Sequence, residues 1–210
     1  MSDAVILANG TPPSLELLHR ALEGNALFLC ADGGANAARR LDVRPAAIVG
    51  DFDSVTPETL AYFAGVSQIR DEDQERTDTE KTIDYALAQG SLELITLLGA
   101  SAGRLDHVIG HLAILRKYAG RVRLILEDEA IRAHVATSDT TLTVPAGSTV
   151  SFFAVGAPVE GLTTENLRFP LVNRTLELGA QDSLSNVVER TPARIRFRRG
   201  HLLVIEVKAP

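Results

Sequence analysis

What the sequence lacks limits the roles open to this protein. It has a single cysteine, Cys30, which excludes an intrachain disulfide and a cysteine-based zinc site and fits a reducing compartment. Its 21 Lys and Arg residues are outnumbered by 27 Asp and Glu, for a net charge of -6, so neither nucleic acid nor a membrane surface is an expected partner. The N-terminal apolar run, 4–8, is too short for a signal peptide or a bilayer span. We therefore expect a cytoplasmic protein.

The first 127 residues of the 210-residue chain alternate short apolar runs with helix-like segments. The runs are apolar at successive positions, which is typical of strands buried on both faces. They lie at 4–8, 26–31, 46–49, 66–69, 92–98 and 122–127, and the helical segments at 14–22, 35–41, 57–63, 79–89 and 105–118. This alternation predicts an α/β domain over residues 1–128, with a mostly parallel sheet flanked by helices.

From residue 129 onward, the sequence has the pattern of an all-β domain. Short β-prone runs are separated by turn residues such as Pro and Gly, and no segment carries helical periodicity of useful length. The runs lie at 130–135, 140–144, 149–155, 184–188, 193–197 and 202–207. We expect residues 129–210 to form an antiparallel β-sandwich.

Carboxylates follow two of the predicted strands. Asp51 and Asp53, in Gly50-Asp51-Phe52-Asp53-Ser54, come directly after the third strand, and Asp32 ends the second. Ligands of open α/β sheets bind beyond the carboxyl ends of strands, and alternate acids on an extended segment suit a hard cation such as Mg²⁺. The alternative is that these residues serve only as turn and helix-cap residues.

Two further segments carry chemistry suited to phosphate. Gly33 and Gly34 follow Asp32 and open a helix, where backbone amides can approach a phosphate, although Asp-Gly-Gly is also a common tight turn. Thr77 and Glu80 form a capping-box pattern, so Asp78 and Lys81 lie three apart on one helical face. That pair either presents a carboxylate and an ammonium to a metal-bound phosphate or is a surface ion pair.

A glycine-containing loop, Gly99-Ala-Ser-Ala-Gly103-Arg104, joins the fifth strand to the next helix. Such a loop can wrap phosphates, and Arg104 offers a planar fork of donors to their oxygens. His107 and His111 follow one helical turn apart but lack the glutamate of the metalloprotease motif. A helix-start contact for His107 and packing for His111 are expected.

These residues leave more than one function open. Magnesium-dependent phosphoryl transfer accounts for the acids, Lys81, Arg104 and the glycine loops together. A haloacid-dehalogenase-like phosphatase would use Asp51 as the phosphorylated nucleophile and Asp53 as acid or base. That motif usually lies on the first strand and ends in Gly-Thr, unlike this one. A nucleotide sensor would not need so many acids, because carboxylates repel ATP unless a metal intervenes.

Taken in order, the motifs resemble those of the thiamine pyrophosphokinase family. The matching segments are Leu7-Ala-Asn9-Gly10, Cys30-Ala-Asp32-Gly33-Gly34-Ala-Asn36, Gly50-Asp51-Phe-Asp53-Ser54, Thr77-Asp78-Thr-Glu-Lys81, Gly103-Arg104-Leu-Asp106-His107, Leu167-Arg-Phe169-Pro-Leu171 and Ser185-Asn186. The sequence departs from the family at Val187, where bacterial relatives often have Glu, and at Asn166, where Gly is common. Pyrophosphokinases acting on a hydroxymethylpterin share acidic motifs of this sort and are the alternative.

The resemblance implies a magnesium-dependent enzyme that transfers diphosphate from ATP to thiamine, releasing AMP. It also implies a homodimer with active sites at the subunit interface. By resemblance, Asp51, Asp53 and Asp78 bind the metal, and these three act in catalysis with Lys81, Arg104 and Asp106. The implied nucleotide-binding residues are Asn9, Asp32, Gly33, Gly34, Gln74 and Gly103, and the implied thiamine-binding residues are Phe169, Ser185 and Asn186.

Overall fold

The computed structural model describes residues 3–208, which divide into two compact units. The first unit comprises the chain up to Ile114 together with Val122–Glu129, and the second comprises Leu115–Arg121 and the chain from Ala130 onward. Each element predicted from the sequence is found, with its ends within two residues of the expected positions.

The first unit contains a parallel sheet, which confirms the predicted α/β class. Its strands lie in the order β6-β5-β1-β2-β3-β4, and every neighbouring pair is parallel. The elements are β1 (Asp3–Leu7), α1 (Leu15–Ala21), β2 (Leu27–Ala31), α2 (Gly34–Arg40), β3 (Ala47–Gly50), α3 (Pro57–Tyr62), β4 (Ser67–Arg70), α4 (Asp78–Ala88), β5 (Leu94–Leu98), α5 (Leu105–Tyr118) and β6 (Arg123–Glu127).

Helix α4 decides which loops of this sheet meet. It connects β4, at the sheet's edge, to β5, which lies on the far side of β1, so the chain must pass back across the intervening strands. The helix accordingly packs against β1, β2 and β3. Its start is fixed by the predicted capping box: Thr77 accepts from the Glu80 backbone N–H, and the Glu80 carboxylate accepts from that of Thr77. The crossing brings Asp78, at the start of α4, to the carboxyl ends of β2 and β3.

The second unit is an antiparallel β-sandwich, as predicted. One sheet has the order β12-β9-β14-β7 and the other β11-β10-β13-β8, with a shared apolar core that includes Phe152, Leu162 and Ile195. The strands are β7 (Ile131–Ala136), β8 (Thr140–Leu142), β9 (Thr149–Ala154), β10 (Val159–Glu165), β11 (Arg174–Leu176), β12 (Ser183–Val187), β13 (Ala193–Arg196) and β14 (Leu202–Val207).

Strands β10 and β11 were not predicted from the sequence. In β10 the pairing register shifts between Val159 and Leu162, and Gly161 between them has a φ of 71°. The two buried apolar residues are therefore three positions apart, and the strict alternation that marks a strand is lost. Over residues 3–208, no helix is long and apolar enough to cross a membrane.

Candidate active site

Three carboxylates from separate segments of the first unit converge on one point. Asp32 follows β2, Asp51 follows β3, and Asp78 begins α4, and each offers an oxygen that lies within 4.8 Å of the other two. The set predicted from the sequence contained Asp53 in place of Asp32. Asp53 is exposed, its carboxylate accepts from the Ser54 hydroxyl at 2.7 Å, and it is not part of this group. The role of Asp53 as a metal ligand stays a prediction, while Asp32, implied by the resemblance as a nucleotide-binding residue, lies within the group.

Gly50 makes this convergence possible. A Cβ atom at Gly50 would lie 2.7 Å from the Cβ of Asp32 and 3.2 Å from the Oδ1 of Asp78. Real Cβ atoms do not approach as closely as 2.7 Å, and 3.2 Å is also tight, so a side chain here would displace Asp32 and crowd Asp78. The absence of a side chain at Gly50 therefore leaves room for the carboxylates to converge.

Asp32 also organises the loop after β3. Its backbone has a φ of 40°, a conformation that aspartate tolerates better than most residues, and its N–H donates to the carbonyl of Val49. Its carboxylate accepts backbone N–H groups of Ser54 at 2.9 Å and Val55 at 3.3 Å. Burial, with smaller contributions from the charges of Asp78 and Asp53, raises the pKa of Asp32 to about 6, although the two backbone donors act against the shift.

The raised pKa predicts how the stability of the metal-free protein depends on pH. Between the ordinary carboxyl pKa of 3.8 and about 6, the folded protein holds a proton on Asp32 that the unfolded chain has released. The free energy of unfolding should therefore fall as pH rises through this range, by at most about 3 kcal/mol. Urea unfolding in EDTA at pH 4.5 and 6.5 measures this contribution, with Asp32→Asn as the control that should lose it. An equal pH dependence in both proteins would contradict the prediction.

Asp51 is held by donors on both carboxylate oxygens. Its Oδ1 accepts from the Asp53 backbone N–H at 3.1 Å, and its Oδ2 accepts from the Gln74 side-chain amide at 3.0 Å. These contacts, with that of Gln74 the largest, lower the pKa of Asp51. Gln74, predicted as a nucleotide-binding residue, thus lies against a carboxylate of the cluster.

Lys81 is the buried cation of the site. It is 3% exposed, and its Nζ donates to Asp78 Oδ1 at 3.0 Å. The alternative of a surface ion pair is therefore wrong. A buried ammonium partly offsets the repulsion between the clustered carboxylates, and its charge contributes to lowering the pKa of Asp51.

The glycines after Asp32 have a packing role. A Cβ at Gly34 would lie 2.0 Å from the carbonyl oxygen of Leu7, and one at Gly33 would lie 2.4 Å from the side-chain amide of Asn9. Both glycines thus allow the chain after β2 to pack against the end of β1. Binding of nucleotide by Asn9, Gly33 and Gly34 stays a prediction, since this packing alone accounts for glycine at both positions.

A cleft of about 250 Å³ opens beside the carboxylates. Among the residues predicted for the site in this unit, Asn9, Asp32, Asp78 and Asp106 line it, together with His107. The others do not line it, namely Gly33, Gly34, Asp51, Asp53, Gln74, Lys81, Gly103 and Arg104. Other lining residues include Ser54, Thr79 and His111, which the sequence reasoning did not assign to the site.

His111 has a defined role in the cleft wall rather than the packing role expected from the sequence. Its Nδ1 lies 2.9 Å from the carbonyl oxygen of Ala100, so this nitrogen carries a proton, and burial lowers the pKa of the ring. In the neutral ring Nε2 is then an acceptor, and it lies 3.3 Å from the Thr79 hydroxyl. The signal available in the sequence was its spacing of one turn from His107 on α5.

Arg104 and Asp106 form an exposed, bidentate ion pair at the start of α5. The Arg104 Nε donates to Asp106 Oδ1 at 3.2 Å and its Nη2 donates to Oδ2 at 2.6 Å. The Arg104 guanidinium lowers the pKa of Asp106 to about 2. Gly103 before it has a φ of 102°, which favours glycine. The catalytic roles of Arg104 and Asp106 and the nucleotide contact of Gly103 stay predictions.

In the second unit, Asn186 holds Phe169 in place. Asn186 is 2% exposed, and its amide accepts from the Phe169 backbone N–H at 3.1 Å and donates to the Phe169 carbonyl at 2.7 Å. Phe169 as a whole is 61% exposed. Asn186 therefore acts on the backbone of Phe169, while Ser185 is exposed, and its N–H donates to Ser151 Oγ at 3.0 Å. Contact of these residues with thiamine stays a prediction.

Asn166, which stands where glycine is common in the family, adopts a backbone conformation that glycine favours. Asn166 has a φ of 65°, in the left-handed region where glycine is common and asparagine is among the residues that tolerate it best. Its side-chain amide also donates to the carbonyl of Pro192 at 2.9 Å. The substitution therefore fits the same turn.

Two family models match the chain. The model described as "Thiamin pyrophosphokinase, catalytic domain" covers residues 18–126, and "Thiamin pyrophosphokinase, vitamin B1 binding domain" covers residues 137–202. Among curated proteins, thiamine pyrophosphokinase 1 of Oryza sativa subsp. japonica is 31% identical over 196 residues, covering 80% of this chain and 74% of the relative. Thiamine pyrophosphokinase of Bacillus subtilis is 23% identical over 95% of this chain and 96% of its own.

Solved structures give the same fold over nearly the whole chain. A thiamine pyrophosphokinase structure from Bacillus subtilis superposes with a TM-score of 0.88 at 21% identity, covering 99% of this chain and 100% of its own. The structure titled "Thiamin pyrophosphokinase from Candida albicans" superposes with a TM-score of 0.85 at 18% identity, covering 98% and 89%. At these identities the likeness concerns the fold.

Proposed function

The chain belongs to the thiamine pyrophosphokinase family, and on that premise we propose that the Asp32–Asp51–Asp78 cluster is the centre at which it transfers diphosphate from ATP to thiamine. The observation that carries this proposal is the convergence of three carboxylates within 4.8 Å, beside a buried lysine and a cleft. Family membership favours the diphosphokinase over the phosphatase and the nucleotide sensor.

The donor set of this cluster fits Mg²⁺. Carboxylate oxygens are hard ligands of the kind that Mg²⁺ prefers, and clustered carboxylates favour a bound cation. Asp32, Asp51 and Asp78 would hold the ion, and Asp53, exposed two residues after Asp51, would be available as a further carboxylate ligand. When bound, Mg²⁺ neutralises polyphosphate charge and orients the phosphates.

The remaining residues position the reactants and stabilise charge. The thiamine hydroxyl oxygen forms a bond to the β-phosphorus of ATP and loses its proton to water, while the bond from that phosphorus to the α–β bridging oxygen breaks and AMP leaves with that oxygen. The Lys81 ammonium, which donates to Asp78 Oδ1 at 3.0 Å, is proposed to stabilise charge on the phosphates. The Arg104 guanidinium is exposed, so it can release the Asp106 carboxylate and bind a second phosphate group in its place. Such reactions depend on alignment and charge neutralisation more than on a covalent protein step.

Phe169 is proposed to bind the acceptor. Its exposed ring offers a face for the flat aminopyrimidine and cationic thiazolium of thiamine, through stacking and cation–π attraction. Phe169→Ala should raise the KM for thiamine about 5–30-fold, with a smaller effect on the KM for ATP.

Leu178→Ala is a matched control for Phe169→Ala, because Leu178 is also a large apolar residue, 68% exposed, in the second unit and outside the segments predicted to bind thiamine. The two KM values should be measured for both variants at saturating concentrations of the other substrate. Equal changes in the KM for thiamine in the two variants would remove Phe169 from the thiamine site.

We also propose a cytoplasmic homodimer, in which Phe169 of one subunit serves the active site of the other. The homodimer with a shared site follows from the family resemblance, and the cytoplasmic location from the single cysteine. Mixing Asp78→Asn chains with Phe169→Ala chains, followed by subunit exchange, should restore activity at low thiamine by forming one intact site per heterodimer. If exchange takes place without recovery, each site is built within one chain.

Identification of the nucleotide product tests the function directly. The protein should be incubated with ATP, Mg²⁺ and thiamine, and the products separated. Equal amounts of AMP and thiamine diphosphate support the proposal, whereas ADP indicates a simple kinase and AMP formed only with a hydroxymethylpterin indicates the alternative acceptor. Replacing Mg²⁺ by EDTA should abolish turnover, and restored turnover on adding Mg²⁺ excludes irreversible damage.

A further inference from the structure

Gln74 reaches Asp51 from an irregular loop. The loop, residues 71–77, joins β4 to α4 and contains no helix or strand. The Gln74 side-chain amide spans from this loop to Asp51 Oδ2 at 3.0 Å. Because a long side chain on an irregular segment has many alternative positions, some other contact must hold the loop for this one to persist.

Arg76 supplies that contact by joining both ends of the loop. Its Nη2 donates to Asp71 Oδ2 at 2.8 Å, its Nε donates to Asp73 Oδ2 at 2.8 Å, and its Nη1 donates to Asp84 Oδ2, on α4, at 3.2 Å. Asp71 is itself fixed to β3, since its N–H donates to the carbonyl of Gly50 at 2.9 Å. The guanidinium therefore ties the loop to β3 at one end and to α4 at the other.

The two loop aspartates each use their second oxygen to shape the backbone around Gln74. Asp71 Oδ1 accepts from the Asp73 N–H at 3.1 Å, and Asp73 Oδ1 accepts from the Glu75 N–H at 2.9 Å. Each carboxylate thus links a backbone turn to the same guanidinium. Hydrogen bonding to Arg76 is also the main cause that lowers the pKa of Asp73.

Charge makes the arrangement depend on Arg76 in particular. Without the guanidinium, the carboxylates of Asp71, Asp73 and Asp84 would face one another across a short distance, and their repulsion would open the loop. The planar fork of arginine reaches three acceptors in fixed directions, which a lysine ammonium cannot reproduce. The side chains are partly exposed, so each pair contributes little to overall stability, and the network's main effect is on loop geometry.

We propose that Arg76 is a positioning residue that holds Gln74 against Asp51 and thereby raises the affinity of the Asp32–Asp51–Asp78 cluster for a divalent cation. This inference rests on the proposed function, because it assigns metal binding to that cluster. Arg76 does not contact the cluster itself. Its effect passes through Gln74, which orients one of the carboxylates.

The test combines metal binding with a double-mutant cycle. Mn²⁺ alone is titrated calorimetrically into wild type, Arg76→Met, Arg76→Lys, Gln74→Ala and the Arg76→Met, Gln74→Ala double variant. Arg76→Met should raise the Kd for Mn²⁺ about tenfold, a typical effect of groups that orient metal ligands, and Arg76→Lys should not restore it. In the Gln74→Ala background, Arg76→Met should have no further effect. The proposal would be overturned if Arg76→Met raised the Kd for Mn²⁺ about tenfold in the Gln74→Ala background as well, or if Arg76→Met alone left the Kd unchanged.

Arg70→Met is the matched control. Arg70, on β4, is an exposed arginine that forms an ion pair with the Glu72 side chain at 3.1 Å, so its removal changes the local charge equally and leaves the three ion pairs of Arg76 in place. Its Kd for Mn²⁺ should equal that of the wild type. A tenfold weakening in Arg70→Met as well would show that net charge alone is responsible, and would overturn the positioning role.

Hydrogen exchange of the metal-free proteins separates this inference from the proposed function. In Arg76→Met the amides of Asp73 and Glu75 should exchange faster, while those of the core strand β1 keep their rates. If wild type binds no Mn²⁺ and forms no thiamine diphosphate, the proposed function fails, and the claim on metal affinity fails with it. In that case, faster amide exchange in the loop of Arg76→Met would still support the claim that Arg76 orders the loop. Unchanged exchange rates would overturn that claim.

Discussion

Asp78→Asn is expected to lower kcat for thiamine diphosphate formation by at least about 10²–10³-fold while leaving the fold intact, since loss of one preorganised electrostatic group commonly costs that much. Asparagine has nearly the same shape and can still accept the hydrogen bond from Lys81 at the start of α4. What it removes is one of the three charges that converge at the cluster. Initial rates over a range of Mg²⁺ concentrations, with circular dichroism as the check on folding, measure the effect.

The same substitution at Asp32 and Asp53 compares the two candidate third ligands. The geometry favours Asp32, so Asp32→Asn should resemble Asp78→Asn, whereas Asp53→Asn should have a smaller effect at saturating Mg²⁺. If Asp53→Asn is the more damaging of the two, the cluster of carboxylates in the structure is not the set of metal ligands. Near-normal turnover in Asp78→Asn would remove the whole cluster from the reaction.

Lys81→Met is expected to lower kcat about 10²-fold or more and also to destabilise the protein. Methionine preserves most of the apolar stem, so the change isolates the ammonium, which is proposed to stabilise charge on the phosphates. Because Lys81 is 3% exposed and pairs with Asp78, its removal also leaves the clustered carboxylates with less compensation. Since Asp78 keeps some access to water, we expect a loss of about 1–3 kcal/mol in the free energy of unfolding. Steady-state kinetics and urea unfolding in EDTA measure the two effects.

Lys117→Met is the control for the loss of a lysine charge. Lys117 lies on α5 and is exposed, so both its kcat and its free energy of unfolding should stay close to the wild-type values. Adding Mg²⁺ should recover part of the stability lost in Lys81→Met, because a bound cation restores compensation between the carboxylates. A stable, fully active Lys81→Met protein would show that the ammonium serves neither purpose.

Most of the fold could be predicted because its signals are local. Runs such as Ala47–Gly50, buried at every position, are apolar along their whole length, and the capping box at Thr77 and Glu80 marks the start of α4 to within one residue of the predicted segment. Strand β10 was missed because its bulge at Gly161 removes the alternation on which such a prediction depends.

By itself the sequence determined the α/β class, the β-sandwich that follows, the family resemblance and the acidic segments near the strand ends. Only the tertiary structure decided which carboxylates meet. Asp51 and Asp53 are neighbours along the chain, but the pairing of β2 with β3 brings Asp32 beside Asp51, and the return of α4 across β3, β2 and β1 adds Asp78. The packing of α4 also buries Lys81. The spacing of three residues between Asp78 and Lys81 was equally consistent with an ion pair on the surface. The reason is physical: periodicity reports which face of an element is buried, whereas the distance between two side chains depends on how separate elements pack.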